Sequence, residues 1–195
     1  MHGYSTDSNE RRIVPFLLAA LAIALAWMLS RFLAGMQHSV PWWVDAPSSM
    51  GFYGALYALF DKRLWQNRFV RKLGLVRVPN LTGRWQGYLT SSFDHHAMRH
   101  DLRVQIFQTW TQISIVVSTA TSESRSSVAA IQVADPDGLA LIYQYENRPQ
   151  ASAMKTMHMH SGTAMLRVSD GSFLTGDYYA GRDRGTIGRI SCQRQ

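Results

Sequence analysis

Asn80-Leu81-Thr82-Gly83-Arg84-Trp85-Gln86-Gly87-Tyr88 is the stretch at which the chain changes character. Upstream lie two apolar segments and a run of basic residues; downstream, β-branched and aromatic residues alternate with polar ones almost to the last residue. Such alternation marks strands with one buried face, because successive side chains on a strand point to opposite sides. Pro79 sharpens the boundary, since proline and the residue before it favour extended or turn backbone over helix.

Eight candidate strands follow, at 82–91, 99–108, 112–121, 126–134, 139–147, 158–168, 173–180 and 186–192. Turn residues separate them, most clearly Asp135-Pro136-Asp137-Gly138 and Ser169-Asp170-Gly171. Short strands with short turns predict an antiparallel up-and-down meander, and closing it into a barrel removes both exposed edges. Eight strands leave room for interior side chains or one small ligand. Alternation assigns Leu102, Val104 and Ile106, Ile113, Ile115 and Val117, and Ala164, Leu166 and Val168 to the interior. In the first strand Gly87 is a candidate bulge, which leaves the parity there open.

Upstream, residues 13–29 contain no charge, and continued to residue 34 they are long enough to cross a hydrocarbon core of roughly 30 Å as a helix. Pro15 is expected in its first turn. A cleavable signal peptide is the competing reading, but a second apolar stretch follows instead of a polar mature domain. That stretch, residues 40–60, offers Trp42 and Trp43 to the membrane interface and Gly51, Gly54, Ala55 and Ala58 to helix contact. Pro47, Ser48 and Ser49 interrupt it, so a re-entrant or interfacial helix is the alternative to a second span. Residues 61–73 interleave Leu64, Trp65, Phe69, Val70 and Leu73 with basic side chains, as an amphipathic helix capped by Gly74 would, or as a plain solvated linker.

The formal charge of +7 suggests a nucleic-acid partner until it is divided by region. Residues 61–80 carry six basic side chains against Asp61, whereas residues 81–195 carry 11 basic against 9 acidic. The surplus is a juxtamembrane cluster rather than a DNA- or RNA-binding face. Residues 35–49 contain no Lys or Arg, which places both termini and the β-rich region on the cytoplasmic side of a membrane. The expected organisation is a cytoplasmic tail (1–12), a two-helix transmembrane module (13–60), a basic linker (61–80) and a β-barrel sensing domain (81–195). Cys192 stands alone and forms no intramolecular disulfide. His95-His96 and His158-Met159-His160 lack the cysteine pair that would make a zinc site. Neither a Gly-x-Ser-x-Gly elbow nor a phosphate-cradling loop is present, so neither catalysis nor a cofactor is expected.

The Gly83-Arg84-Trp85 opening, with Arg189 in the last strand, is similar to the lipocalin superfamily pattern. There the tryptophan plugs the barrel base and a late arginine packs over it, roles that would fall to Trp85 and Arg189. The whole architecture resembles a narrower family, the CD-NTase-associated protein 15 effectors of CBASS anti-phage operons, with residues 81–88 the most recognisable segment. That resemblance implies a barrel that binds a cyclic dinucleotide, assembly into a homo-oligomer on binding, and disruption of the lipid bilayer. A membrane-tethered lipocalin-like carrier of lipids or small molecules is the second reading, and a purely structural subunit the third.

A cyclic dinucleotide presents two bases, which stack on aromatic rings, and two phosphates, which attract arginine forks and hydroxyl donors. Tyr88 and Thr90 end the first strand, Tyr143, Tyr145, Asn147 and Arg148 the fifth, and Tyr178 and Arg182 the seventh. In a meander these ends share one rim and form the candidate site. Thr109 and Trp110 belong to the opposite rim and rank below them.

Overall fold

The computed structural model describes residues 1–35, 42–153, 157–181 and 184–195. The chain divides into two compact units, Met1–Ser8 with Val78–Gln195, and Asn9–Arg77.

The first unit is a closed barrel of nine strands: β1 (His2–Thr6), β2 (Gly83–Ser91), β3 (His100–Gln108), β4 (Gln112–Ser118), β5 (Ser122–Gln132), β6 (Ala140–Pro149), β7 (His160–Ser169), β8 (Phe173–Ala180) and β9 (Ile187–Arg194). Strands β2 to β9 form the antiparallel meander that alternation predicts, and β9 returns to β2 with Trp85 opposite Arg194 and Ser91 opposite Gly188. The barrel is mixed rather than purely antiparallel, and residues 1–12 are not simply a tail. β4 and β5 pair only where Val116, Val117 and Ser118 face Arg125, Ser124 and Glu123; just beyond, the pairing of β5 with β6 carries a bulge between Ser126 and Val128. β1 fills the gap, antiparallel to β4 and parallel to β5. Its reason is an unpaired pair of edges: the main-chain groups that β4 and β5 turn toward the gap between them need partners.

The nine residues assigned to the interior are all buried. Gly87 is no bulge, because the register of β2 runs unbroken across it on both sides. It is a close crossing instead: a Cβ there would lie 1.9 Å from the Ser191 carbonyl oxygen.

One end of the barrel is closed by side chains. Trp85, 1% exposed, donates its indole N–H to the Leu81 carbonyl at 3.1 Å. Buried Gln108 accepts the Leu81 N–H at 2.8 Å and donates to the Pro79 carbonyl at 3.1 Å. The arginine over the Trp85 ring is Arg194, 5.4 Å from its centroid, and not Arg189. Ile190 and Cys192 occupy the inward positions of β9, so period two turns Arg189 outward into solvent. Arg194 also donates to the carbonyls of Asn80 (3.1 Å) and Thr82.

In the second unit, α1 (Glu10–Gly35) packs along α2 (Trp42–Lys62). Val14, Leu18, Ala22 and Ala26, each a helical turn apart, are the buried stripe of α1, while Phe16, Ile23, Trp27 and Phe32 stand exposed. A helix apolar on its outer side is suited to hydrocarbon. Among the described residues α1 is the one helix long and apolar enough to cross a membrane. Because α1 begins at Glu10, Pro15 lies beyond the first turn. α2 runs unbroken through Pro47, Ser48 and Ser49. The amphipathic helix expected over 61–73 is instead split by Asn67, whose extended backbone (ψ 133°) separates a 3-10 turn at Leu64–Gln66 from α3 (Arg68–Lys72). Asn67 then caps α3 by accepting the Phe69 N–H at 2.9 Å, and Gly74 ends the segment at φ 71°.

Candidate functional site

At the end of the barrel away from Trp85, a cavity of about 510 Å³ opens between the strands. The connections β2–β3, β4–β5, β6–β7 and β8–β9 surround it, as the ends of an up-and-down barrel require. Its depth is set by glycines. Tyr145 on β6 faces Gly162 on β7, and Tyr178 on β8 faces Gly188 on β9. A Cβ at Gly162 would lie 2.4 Å from the Tyr145 hydroxyl oxygen, and one at Gly188 2.5 Å from Cε1 of Tyr178. Each ring occupies the space its cross-strand partner leaves empty, as aromatic residues do over sheet glycines.

Tyr143 and Tyr145 form the floor, their ring centroids 6.2 Å apart and tilted by 54°. Burial pushes both phenols well above the ordinary tyrosine value; Tyr145 adds to the shift of Tyr143, and Tyr178 to that of Tyr145, where the Arg184 charge opposes it. Both tyrosines are part of the cavity lining. Burial also raises Tyr178, opposed by a hydrogen bond with Ser91 and by the Arg184 charge. Beneath them burial pushes the Cys192 thiol up to about 11, leaving it a packed, unreactive group.

The walls are hydroxyl-rich: Ser91, Thr119, Thr121, Ser122, Ser124 and Thr186. Asn147, 4% exposed, accepts the Ser124 hydroxyl at 2.8 Å and directs its amide toward Met157 sulfur at 3.3 Å. The mouth is basic. Arg184 lies 5.3 Å from the centroid of the Phe93 ring, and Arg99 lies 4.5 Å from that of Tyr88. His100, also in the lining, bonds Asp94 at 2.8 Å and thereby holds that carboxyl below its usual value.

Of the residues expected at this rim, Tyr143, Tyr145, Asn147 and Tyr178 line the cavity. Tyr88 and Thr90 do not: Trp85, Leu89 and Ser91 point inward on β2, so the residues between them point out. Tyr88 acts on the mouth only through Arg99. Arg148 also faces outward, beside Glu146 at 4.0 Å. Arg182 lies outside the described residues. Thr109 and Trp110 belong to the closed end, where Thr109 accepts the Gln112 N–H at 3.1 Å and buried Trp110 accepts the Tyr4 hydroxyl at 2.8 Å through its carbonyl. Sequence reading missed Arg99 and the wall hydroxyls, and it left Arg184 out of the candidate site although it noted Arg184 beside the last hairpin. The two arginines, Thr119 and Thr121 sit in connections, where no periodicity points a side chain inward. No group of three or more metal-ligating side chains is gathered among the described residues.

Comparison with known proteins divides the chain near the same boundaries. A family model described as "Cap15, cyclic dinucleotide receptor domain" matches residues 76–194, and one described as "Cap15, TM helices" matches residues 12–66. A similar protein is CD-NTase-associated protein 15 of Yersinia aleksiciae, 36% identical over 150 residues, which cover 75% of this chain and 69% of that protein. Residues 1–11, which include β1, lie outside both family matches.

Proposed function

Because the chain belongs to the Cap15 family, we propose that it is a CBASS effector whose barrel binds a cyclic dinucleotide in the rim cavity. The observation that carries this reading is the meeting of tyrosine rings at the cavity floor with two arginines at its mouth. Tyrosine rings offer base-stacking surfaces worth roughly 1–3 kcal/mol per base. The arginines supply charge-assisted bonds for the phosphodiesters, and the wall hydroxyls reach the polar edges of bases and riboses. The convergence of charge on one cavity sets this reading above a lipid carrier, whose pocket would lack it.

Ligand binding shifts the protein toward an assembled form, which requires tighter binding to the assembled state than to the resting one. Assembly brings helical pairs together in the inner membrane and disrupts it. The basic residues between positions 61 and 80 hold the barrel at the cytoplasmic leaflet, raising the local concentration of barrels for assembly. No enzymatic step is needed for this role.

The test is a titration of cyclic dinucleotides into the detergent-solubilised protein, followed by dye leakage from proteoliposomes. Saturable binding and ligand-dependent leakage are expected for at least one member of a purine and pyrimidine panel. Leakage that responds to none of them would sink the proposal.

A further inference from the structure

We infer that β1 and residues 7–10 are the mechanical link through which the barrel moves α1, an inference that rests on the effector function proposed above. β1 is bonded along both edges and fixed at three points. At its start the His2 Nε2 and the Ser126 hydroxyl are 2.7 Å apart, and Ser126 also accepts the Ile115 N–H at 2.9 Å, tying β1, β4 and β5 together at the bulge. In its middle the Tyr4 hydroxyl donates to the Trp110 carbonyl. Just past its end the Asp7 carboxylate accepts the N–H groups of Val133 (2.8 Å) and Ala134 (3.1 Å), where the chain leaves β5.

The strands that hold β1 also reach the cavity. The turn joining β4 to β5 lines the cavity wall through Thr119 and Thr121, so a ligand that displaces this turn pulls on the two strands between which β1 is wedged. Downstream, α1 begins at Glu10, three positions after Asp7. That carboxylate is 4% exposed and accepts the Arg77 N–H at 2.6 Å, which joins the first turn of α1 to the last residue of the helical unit. Two carboxylates, Asp7 and Glu10, thus grip main-chain N–H groups in successive units of the chain. The residues between them reach at most about 10 Å even when fully extended, so the link has little slack.

The test inserts about eight Gly/Ser residues between Ser8 and Asn9 of the full-length protein, which leaves β1 in place but gives the link a flexible span of roughly 15 Å. Cyclic dinucleotide affinity is expected to stay within about twofold of wild type, while ligand-triggered leakage falls about tenfold or more. The double substitution Asp7→Ala/Glu10→Ala, which keeps the chain length, should separate binding from leakage in the same direction. It decides the matter if the insertion fails to fold. Wild-type leakage from these variants overturns the link and leaves the effector reading standing. Loss of binding in either also overturns it, since β1 would then belong to the ligand site. A wild-type protein that neither binds nor leaks overturns both.

Discussion

Tyr145 and Gly162 face one another across β6 and β7, and the phenol fills the place that a side chain at Gly162 would take. The same arrangement recurs at Tyr178 and Gly188. Cavity and wall are therefore specified together. The glycines that let the sheet coil tightly are the ones that give the aromatic floor its room, so packing and recognition use the same positions.

Gly162→Ala should be costly on both counts. The new Cβ would lie 2.4 Å from the Tyr145 hydroxyl oxygen and 2.4 Å from the Tyr179 carbonyl oxygen, and the carbonyl cannot swing away. Overpacking of this kind costs about 1–3 kcal/mol. Thermal unfolding should show that loss, and calorimetry should show weaker dinucleotide binding. Tyr145→Phe keeps the ring on the glycine, so it should hold stability while losing about 1 kcal/mol of binding through the absent hydroxyl. Unchanged affinity in both variants would remove Tyr145 from the site.

Arg184 and Arg148 give a paired test of the mouth. Arg184 lines the cavity, whereas Arg148 lies on the outer surface beside Glu146. Arg184→Ala should weaken dinucleotide binding about tenfold or more, the loss of one charge-assisted contact of roughly 1.5–3 kcal/mol. The deficit should shrink at high salt. Arg148→Ala should leave affinity unchanged. Equal effects from the two would mean that the protein's general charge, and not this mouth, attracts the ligand.

At the closed end, Arg194→Ala removes the cover from the Trp85 ring and two bonds to the Asn80 and Thr82 carbonyls. Urea unfolding followed by tryptophan fluorescence should report a loss of roughly 1–3 kcal/mol. Arg189→Ala, on the exposed face, should stay within about 0.5 kcal/mol of wild type. The reverse ranking would restore Arg189 to the barrel base.

The difference between these two arginines illustrates what was readable in the sequence. Period-two alternation located the eight strands of the meander and the interior faces of β3, β4 and β7, because each holds several apolar residues in one row. The same rule, applied from Ile190 and Cys192, turns Arg189 outward, and applied from Leu89 it turns Tyr88 and Thr90 outward. For Tyr88 and Thr90, proximity in sequence to the correct rim concealed that parity. β1 was illegible for a different reason. His-Gly-Tyr-Ser-Thr has one buried residue, Tyr4, and becomes a strand because β4 and β5 separate more than a hundred residues later. Arg99 and Arg184 reach the cavity from connections, where only three-dimensional closure decides which side chains converge.

Asp7 makes the attachment of β1 depend on pH, with a definite sign. Burial tends to raise its carboxyl, but the N–H groups of Val133 and Ala134 outweigh this and hold it below its ordinary value of 3.8. A carboxylate stabilised in the folded state contributes stability above its unfolded pKa, and that contribution disappears as pH falls through the lower folded value. The difference in stability between wild type and Asp7→Asn should therefore be constant from neutral pH to about pH 5 and narrow below pH 4. Amide chemical shifts of Val133 and Ala134, followed in the full-length protein in detergent, should titrate over the same acid range in wild type and stay flat in Asp7→Asn. If the stability difference were independent of pH, the clasp would not depend on the carboxylate's charge. A neutral oxygen acceptor would then hold β1 equally well.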